Sequence, residues 1–553
     1  MSKGNCTRRE FINTIGVAAA VVSGASLSFQ DVFGDVNDGN RPNVLFIAVD
    51  DLRPELGCYG HKIVHSPNID RLAREGMRFN RAYCQVAICS PSRASLMTGL
   101  RPDSAGVVDN VTYFRDTVPD VVTLPQHFGN HGYETVYIGK IYHGAMRDEE
   151  KSWSRKAVYP KPGYRRDVGG YQLLENQELV RRRREEVKNE YGEVKLGGLA
   201  CGPATERAVV PDNAYQDGRS TDAAIATLGQ LKGKKPFFLG VGFHKPHLPF
   251  VAPKKYWDLY DPEDIDLADN PFVPNGAPSV GMHSSFELRV RHGVPKSGPI
   301  PDNVARNLIH GYLSCVSYVD AQIGRIFDEL ERLELRENTV VMLWGDHGWH
   351  LGEHTLWGKA TNFEVATRCP LIVSAPGMKT TGRSSNALVE LLDMYPALCE
   401  LAGLPVPKHA EGKSFVPLLD DSDRRWKSAA FSQFPCPALR EWAAMPLSPA
   451  MRGTFFGPLV RRVEQKLKAE APERYSEELY NKHLMGYSMR TDRYRCTIWI
   501  DVLNPDAEPI AMELYDHNKD PDENVNIAGK SENAPLIRKM VAQMKTKLRI
   551  GGR

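Results

Sequence analysis

Cysteine is scarce and scattered: ten residues in 553, no two of them in a C-x-x-C spacing. That argues against a structural zinc cluster. In an oxidising compartment some of these thiols could pair, but spacing alone does not give the connectivity. Excess charge is missing as well. Seventy basic side chains against 68 acidic ones leave a formal net charge of +2, too little for bulk electrostatic binding to nucleic acid or another polyanion. An anionic ligand therefore has to be recognised locally, by a few placed cations. Beyond the N-terminus no apolar run reaches membrane-spanning length, and no internal repeat is visible. What remains is an ordinary globular composition, 42% hydrophobic and 25% charged. The chain is long enough for a large layered core and two subdomains.

The N-terminus reads as an address. Arg8-Arg9, then Phe11, then a weakly apolar run from Ile15 to Phe29 resemble a twin-arginine-type signal over 1–30. This predicts export to the periplasm or the exterior, with no membrane span in the mature chain. Residues 31–41, polar and rich in Gly, Asp and Asn, predict a linker. The apolar run that opens at Asn43 ends abruptly at Asp50-Asp51. It predicts a strand buried on both faces, with functional residues at its C-terminal end. Similar runs at 135–138, 236–241, 340–344 and 370–373 alternate with helical patterns at 67–75, 91–98 and about 304–334. The expected class is α/β, a large mixed, mainly parallel sheet between helices. Residues 145–215 read as an insertion with one solvated helix around Arg181-Arg182-Arg183-Arg184, and 255–303 as long surface loops. After about residue 430 the pattern predicts a hairpin over 487–500 turning at Thr491-Asp492, a strand at 512–515 and a helix over 533–548. The expected division is a catalytic domain at 42–430 and a smaller α+β C-terminal subdomain at 431–553.

The strongest chemical signal is Cys89-Ser90-Pro91-Ser92-Arg93-Ala94-Ser95-Leu96-Met97-Thr98-Gly99. Pro91 suits the first turn of a helix, which puts Cys89 at the helix N-terminus. Free backbone N–H groups and the helix dipole there favour an anion, and Arg93 at i+4 can face the same point. Asp50-Asp51 and Gly345-Asp346-His347-Gly348 each follow a predicted buried strand. Two acidic strand ends can converge on one hard cation, and the oxygen-rich set Asp50, Asp51 and Asp346 favours calcium over zinc. Lys140 and His143, three apart, follow the strand at 135–138. In His244-Lys245-Pro246-His247-Leu248-Pro249, the two prolines predict an extended segment that aims His247. Lys359 lies in Trp357-Gly358-Lys359. All these groups come after predicted parallel strands, the edge where ligands bind in such sheets.

The Cys89–Gly99 segment resembles the signature C-x-P-S-R-x-x-x-x-T-G of the formylglycine-dependent sulfatases of the alkaline-phosphatase superfamily, and within them the iduronate-2-sulfatase group. The resemblance runs from about Arg41 into the C-terminal region, where Met485-Gly486-Tyr487-Ser488 and Glu513-Leu514-Tyr515 belong to it; 145–210 and 405–480 match least. It implies an alkaline-phosphatase-like fold and oxidation of Cys89 to formylglycine by a formylglycine-generating enzyme. It also implies one calcium ion held by Asp50, Asp51, Cys89, Asp346 and His347, and sulfate-pocket roles for Arg93, Lys140, His143, His247 and Lys359. In the implied mechanism His247, helped by Lys359, protonates the leaving oxygen and His143 takes a proton from the hydrated aldehyde. Gly345 stands where serine is common, a change expected to touch the turn and not the ligands. The implied activity is sulfate-ester hydrolysis on a sulfated oligosaccharide or polysaccharide. A 2-O-sulfated uronic acid is the first choice, ahead of sulfated galactose or fucose. Two readings compete: a phosphate or phosphonate ester hydrolase of the same superfamily, and a non-catalytic protein that binds sulfated glycans.

Overall fold

Seven consecutive residues with no polar face, Asn43–Val49, form β1, buried along its whole length. A strand of this kind has to lie in the middle of a sheet covered on both sides, and the computed structural model, which describes residues 41–158, 169–193 and 196–551, puts it there. The other strands of its sheet are β2 (Met77–Tyr83), β3 (Glu134–Gly139), β4 (Phe237–Phe243), β5 (Thr339–Gly345), β6 (Arg368–Ser374) and β7 (Arg383–Glu390), in the order β7-β2-β6-β5-β1-β4-β3. Pairings β1–β4, β1–β5, β3–β4 and β2–β7 are parallel; only β6 runs against its neighbours β2 and β5. The expected mixed, mainly parallel sheet is borne out. β2 and β7 escape the sequence reading because their residues, MRFNRAY and RSSNALVE, interleave polar and apolar types.

Helices cover the sheet. The longest, α4 (Asp302–Arg332), follows α1 (Pro67–Glu75), α2 (Cys89–Thr98) and α3 (Gln216–Leu231) and packs on α3 and α1. Helix Leu174–Tyr191 buries only Gln177, Val180 and Val187, and its Arg181 and Arg182 are exposed, as a solvated helix should be. The signal-like residues 1–30 and almost all of the linker lie outside the described residues. Among the described residues nine cysteines are free thiols.

A second, antiparallel sheet follows: β8 (Ala430–Pro435), β9 (Leu484–Arg490), β10 (Tyr494–Asp501) and β11 (Ala511–Asp516), paired in that order. The expected hairpin is β9–β10, and helix Ala534–Leu548 packs on both of its strands. Residues Pro42–Arg553, both sheets included, form one compact unit. Glu513 of β11 is buried and accepts hydrogen bonds from Trp499 Nε1 and Tyr515 OH, both 2.8 Å. Burial, outweighing those two donors, pushes its carboxyl from 4.5 up to about 7. The folded chain thus holds this proton more tightly than the unfolded chain does. Its contribution to stability falls as pH rises from 4.5 through about 7. Glu513→Gln should therefore be more stable than the parent at alkaline pH, by at most roughly 3 kcal/mol, and show no such gain in acid. Urea unfolding of both proteins on either side of the window measures this.

Candidate active site

Five loops leave the same edge of the main sheet and converge. Asp50 and Asp51 follow β1; Lys140 follows β3; His244 to Pro249 follow β4; Asp346 and His347 follow β5; and Cys89 opens α2 beyond β2. Close approach of β3 and β4 is bought by glycine. Gly139 has φ +72°, and a Cβ there would stand 2.0 Å from Gly242 O, while one on Gly242 would stand 2.0 Å from Lys140 O. Gly345 is likewise a packing requirement, since a Cβ would come 2.5 Å from Leu52 O in the turn that carries Asp51.

The Cys89 thiol is buried, and its surroundings are polar. Sγ lies 3.4 Å from Asp50 Oδ1, 3.4 Å from His347 Nε2, 3.5 Å from Lys140 Nζ and 3.6 Å from Lys359 Nζ. Arg93, with no exposed surface, bridges Asp346 at 2.9 Å and Asp50 at 3.2 Å, and also donates to Lys140 O and Ile141 O. Lys140 pairs with Asp50; Lys359 pairs with Asp51 at 2.8 and 3.1 Å. Asp346 is fixed further by the N–H groups of Asp51 and His347, at 3.0 and 3.1 Å. Three carboxylates thus face three permanent cations, which is what keeps charge tolerable at zero exposure.

Position within the cluster separates the two leading carboxylates. Burial favours protonation of both. At Asp50 the fields of Lys140, His247, Arg93 and Lys359 outweigh it and hold the group well below the usual range. At Asp51 burial prevails over Lys359, Asp50 and the Cys89 sulfur add to it, and the group is pushed well above that range. His143 is pulled down to about 3, by burial first and then by Lys140, and its Nδ1 is buried without a hydrogen-bond partner. It is a neutral base with a lone pair to offer. One ligand atom each from Asp50, Asp51, Cys89 and His347 all lie within 4.8 Å of one another. Asp346 borders this set, its Oδ2 3.5 Å from His347 Nε2.

The sulfatase family pattern matches residues 42–404. Iduronate 2-sulfatase of Homo sapiens is 35% identical over 540 residues, covering 90% of this chain and 92% of that protein. The chain belongs to the sulfatase family. It is a sulfuric ester hydrolase. Solved structures of the same fold include a phosphonate monoester hydrolase of Agrobacterium radiobacter (TM-score 0.66, 21% identity, 92% of this chain and 96% of that one). A 2-O GAG sulfatase is another (TM-score 0.63, 20% identity, 92% of each chain).

Two local expectations fail in this sulfatase. The segment from His244 to Pro249 is a turn, not an extended run. Both X-Pro bonds, Lys245-Pro246 and Leu248-Pro249, are cis, and His247 N–H closes onto His244 O at 2.9 Å. The start of α2 also offers fewer amides than its position suggests. Ser90 N–H is taken by Asn110 Oδ1 at 2.9 Å, Ser92 N–H by Ile88 O at 3.2 Å, and Pro91 has none. The field that favours an anion there comes chiefly from Arg93 and the two lysines.

One residue of the sulfatase cluster was missed. Glu287 stands 3.2 Å from His247 Nε2 and 3.6 Å from Lys359 Nζ. It lies inside the Pro- and Asp-rich stretch read as surface loop, in a four-residue helical turn, Phe286–Arg289. No spacing or motif marks it. His247 Nδ1 faces a carbonyl, Leu248 O, at 2.7 Å and must donate to it. Nε2 and the Glu287 carboxylate would repel at 3.2 Å unless one proton lies between them. A separate cavity of about 1010 Å³ lies away from this cluster. Its Arg101, Lys427 and Glu390 are paired with one another at 2.7 to 2.9 Å.

Proposed function

We propose that this sulfatase removes sulfate from a sulfated saccharide, through a formylglycine made from Cys89 and a bound calcium ion. The observation that carries the reading is the buried Cys89 thiol, ringed by Asp50, His347, Lys140 and Lys359 at 3.4 to 3.6 Å. The sulfur stands where an oxygen of the modified side chain would be. The donors fit a hard divalent cation: carboxylates dominate, and Asp51, driven toward protonation by burial, is the kind of group a cation would hold ionised. Asp50, Asp51, residue 89, Asp346 and His347 would hold it, and it would supply positive charge at the sulfate oxygens.

The chain's own residues do the rest. Arg93, Lys140 and Lys359 neutralise charge on the sulfate as it develops, in a site already organised for it. As formylglycine, residue 89 offers one geminal hydroxyl for attack on sulfur and a second whose deprotonation lets sulfate leave. His143, neutral and with a free lone pair, takes that second proton. His247 delivers the proton it shares with Glu287 to the departing sugar oxygen, with Lys359 beside both. Glu287→Gln weakens that arrangement. Turnover of a sugar sulfate should fall about tenfold or more, while an aryl sulfate, whose phenolate needs little protonation, loses less. Equal losses on the two substrates would remove Glu287 from proton delivery.

The human relative is named an iduronate 2-sulfatase, and a 2-O-sulfated uronic acid is accordingly the first candidate substrate. Among the described residues no helix is long and apolar enough to cross a membrane. The twin-arginine-type start is what supports an exported protein acting on glycans outside the cytoplasm. The deciding assay compares an aryl sulfate with an aryl phosphate on chelator-treated and calcium-loaded protein. Calcium-dependent hydrolysis with sulfate strongly preferred is the expected result. Preference for the phosphate would favour a phosphate-ester hydrolase, and turnover of neither would favour a glycan-binding protein.

A further inference from the structure

Beside Lys359 and Glu287 lies a small pocket walled by Trp357 and Trp442, and two polar side chains that line it each keep a buried nitrogen without a well-formed hydrogen bond. One is Arg440, 9% exposed, whose Nε is buried without a hydrogen bond and whose Nη1 reaches only Ala444 O, at 3.4 Å. The other is His283. Its Nδ1 accepts the Ser285 N–H at 2.9 Å, so Nε2 carries the proton; that buried donor makes no well-formed hydrogen bond and feels only a weak pull from the Lys359 backbone carbonyl. Other buried arginines are better partnered: Arg93 pairs with Asp50 and Asp346, Arg495 with Glu364 and Glu523, and Arg289 donates to the carbonyls of Ser284, Pro295 and Gly298. Asp109, the acid whose field Arg440 feels, is committed to its own turn. It accepts from Val111 N–H, Thr112 N–H and Thr112 Oγ1 at 2.9, 2.7 and 3.0 Å.

A guanidinium largely withdrawn from water with no paired carboxylate is costly, and a second under-satisfied donor in the same pocket adds to that cost. Both are relieved by one kind of ligand: an anionic group with several acceptor oxygens. The reacting sulfate is placed by Cys89, Arg93 and Lys140, none of which lines this pocket, whereas Lys359 borders both. Trp442, only half-buried at the pocket wall, can meet the apolar face of a sugar ring.

Resting on the sulfatase reading, we propose that Arg440 and His283 form a second anion subsite, which binds a carboxylate or a second sulfate on the saccharide whose sulfate ester is cleaved. The Arg440 loop belongs to the region least readable from the sequence. It is held near the chemistry by Ala444 packing against Val86 and Ile88, next to Cys89.

The test measures kcat/KM for four substrates: an aryl sulfate, a sulfated disaccharide with a uronic carboxylate, its carboxyl-reduced counterpart, and a disulfated disaccharide without a carboxylate. Wild type should prefer at least one of the doubly anionic sugars over the reduced one, and which it prefers identifies the group bound. In Arg440→Gln that preference should shrink about tenfold to a hundredfold, the range of a charge-assisted hydrogen bond. The loss should far exceed any loss on the aryl sulfate, and His283→Gln should shift it the same way should Arg440→Gln not fold. No preference in wild type, or one that survives in both variants, would overturn the subsite and leave the sulfatase reading intact. Absence of turnover on all four, aryl sulfate included, would sink both.

Discussion

Alanine at position 89 should abolish sulfate release while leaving the fold intact. The side chain is small and makes four polar contacts, so its loss opens little space. The two lysines and His347 keep their carboxylate partners Asp50, Asp51 and Asp346. Chemically the loss is complete, because the attacking atom and the releasing hydroxyl both belong to this one side chain. Removal of a nucleophile that works with an intact set of stabilising charges typically costs about four to six orders of magnitude. Sulfate release from saturating substrate, set beside a thermal melt of the same preparation, separates lost chemistry from lost structure. Equal rates in the variant and its parent would defeat the proposed nucleophile.

Lys359→Ala is expected to lower turnover by roughly two orders of magnitude or more, the scale seen when one preorganised donor to a developing anion is removed. Its Nζ touches Asp51 at 2.8 and 3.1 Å, approaches Cys89 Sγ at 3.6 Å and sits 5.1 Å from the centre of the Trp349 ring. Three effects follow from deleting it. The sulfate loses a cation, Glu287 loses an ion-pair partner at 3.6 Å, and Asp51, already pushed toward protonation by burial, loses the group that most opposes that push. Arginine should not restore the rate, because a planar fork replaces a compact charge at a site 3% exposed. Steady-state kinetics at saturating calcium measures this, and an unchanged rate would place Lys359 outside the pocket.

How much was legible follows from what each residue depends on. β1, β4 and β5 are continuous apolar runs because they are covered on both faces, and such runs announce themselves. The groups at their ends were legible for the same reason, since parallel strands deliver Asp50, Lys140, His247 and Asp346 to one edge. The signature around Cys89 added the nucleophile. Glu287 and Arg440 were not legible. Both lie in irregular chain, far in sequence from what they face, and only the folded chain brings them there. Prolines misled at His244–Pro249 because a sequence does not display the isomer of an X-Pro bond. β2 and β7 were lost because half-polar strands look like loops.

The most direct measurement is the mass of the peptides that span Cys89, taken from a preparation whose sulfate-releasing activity has been titrated. The account predicts an aldehyde at residue 89 in a fraction matching the active fraction. A fully active preparation in which residue 89 is entirely an unmodified thiol would contradict it.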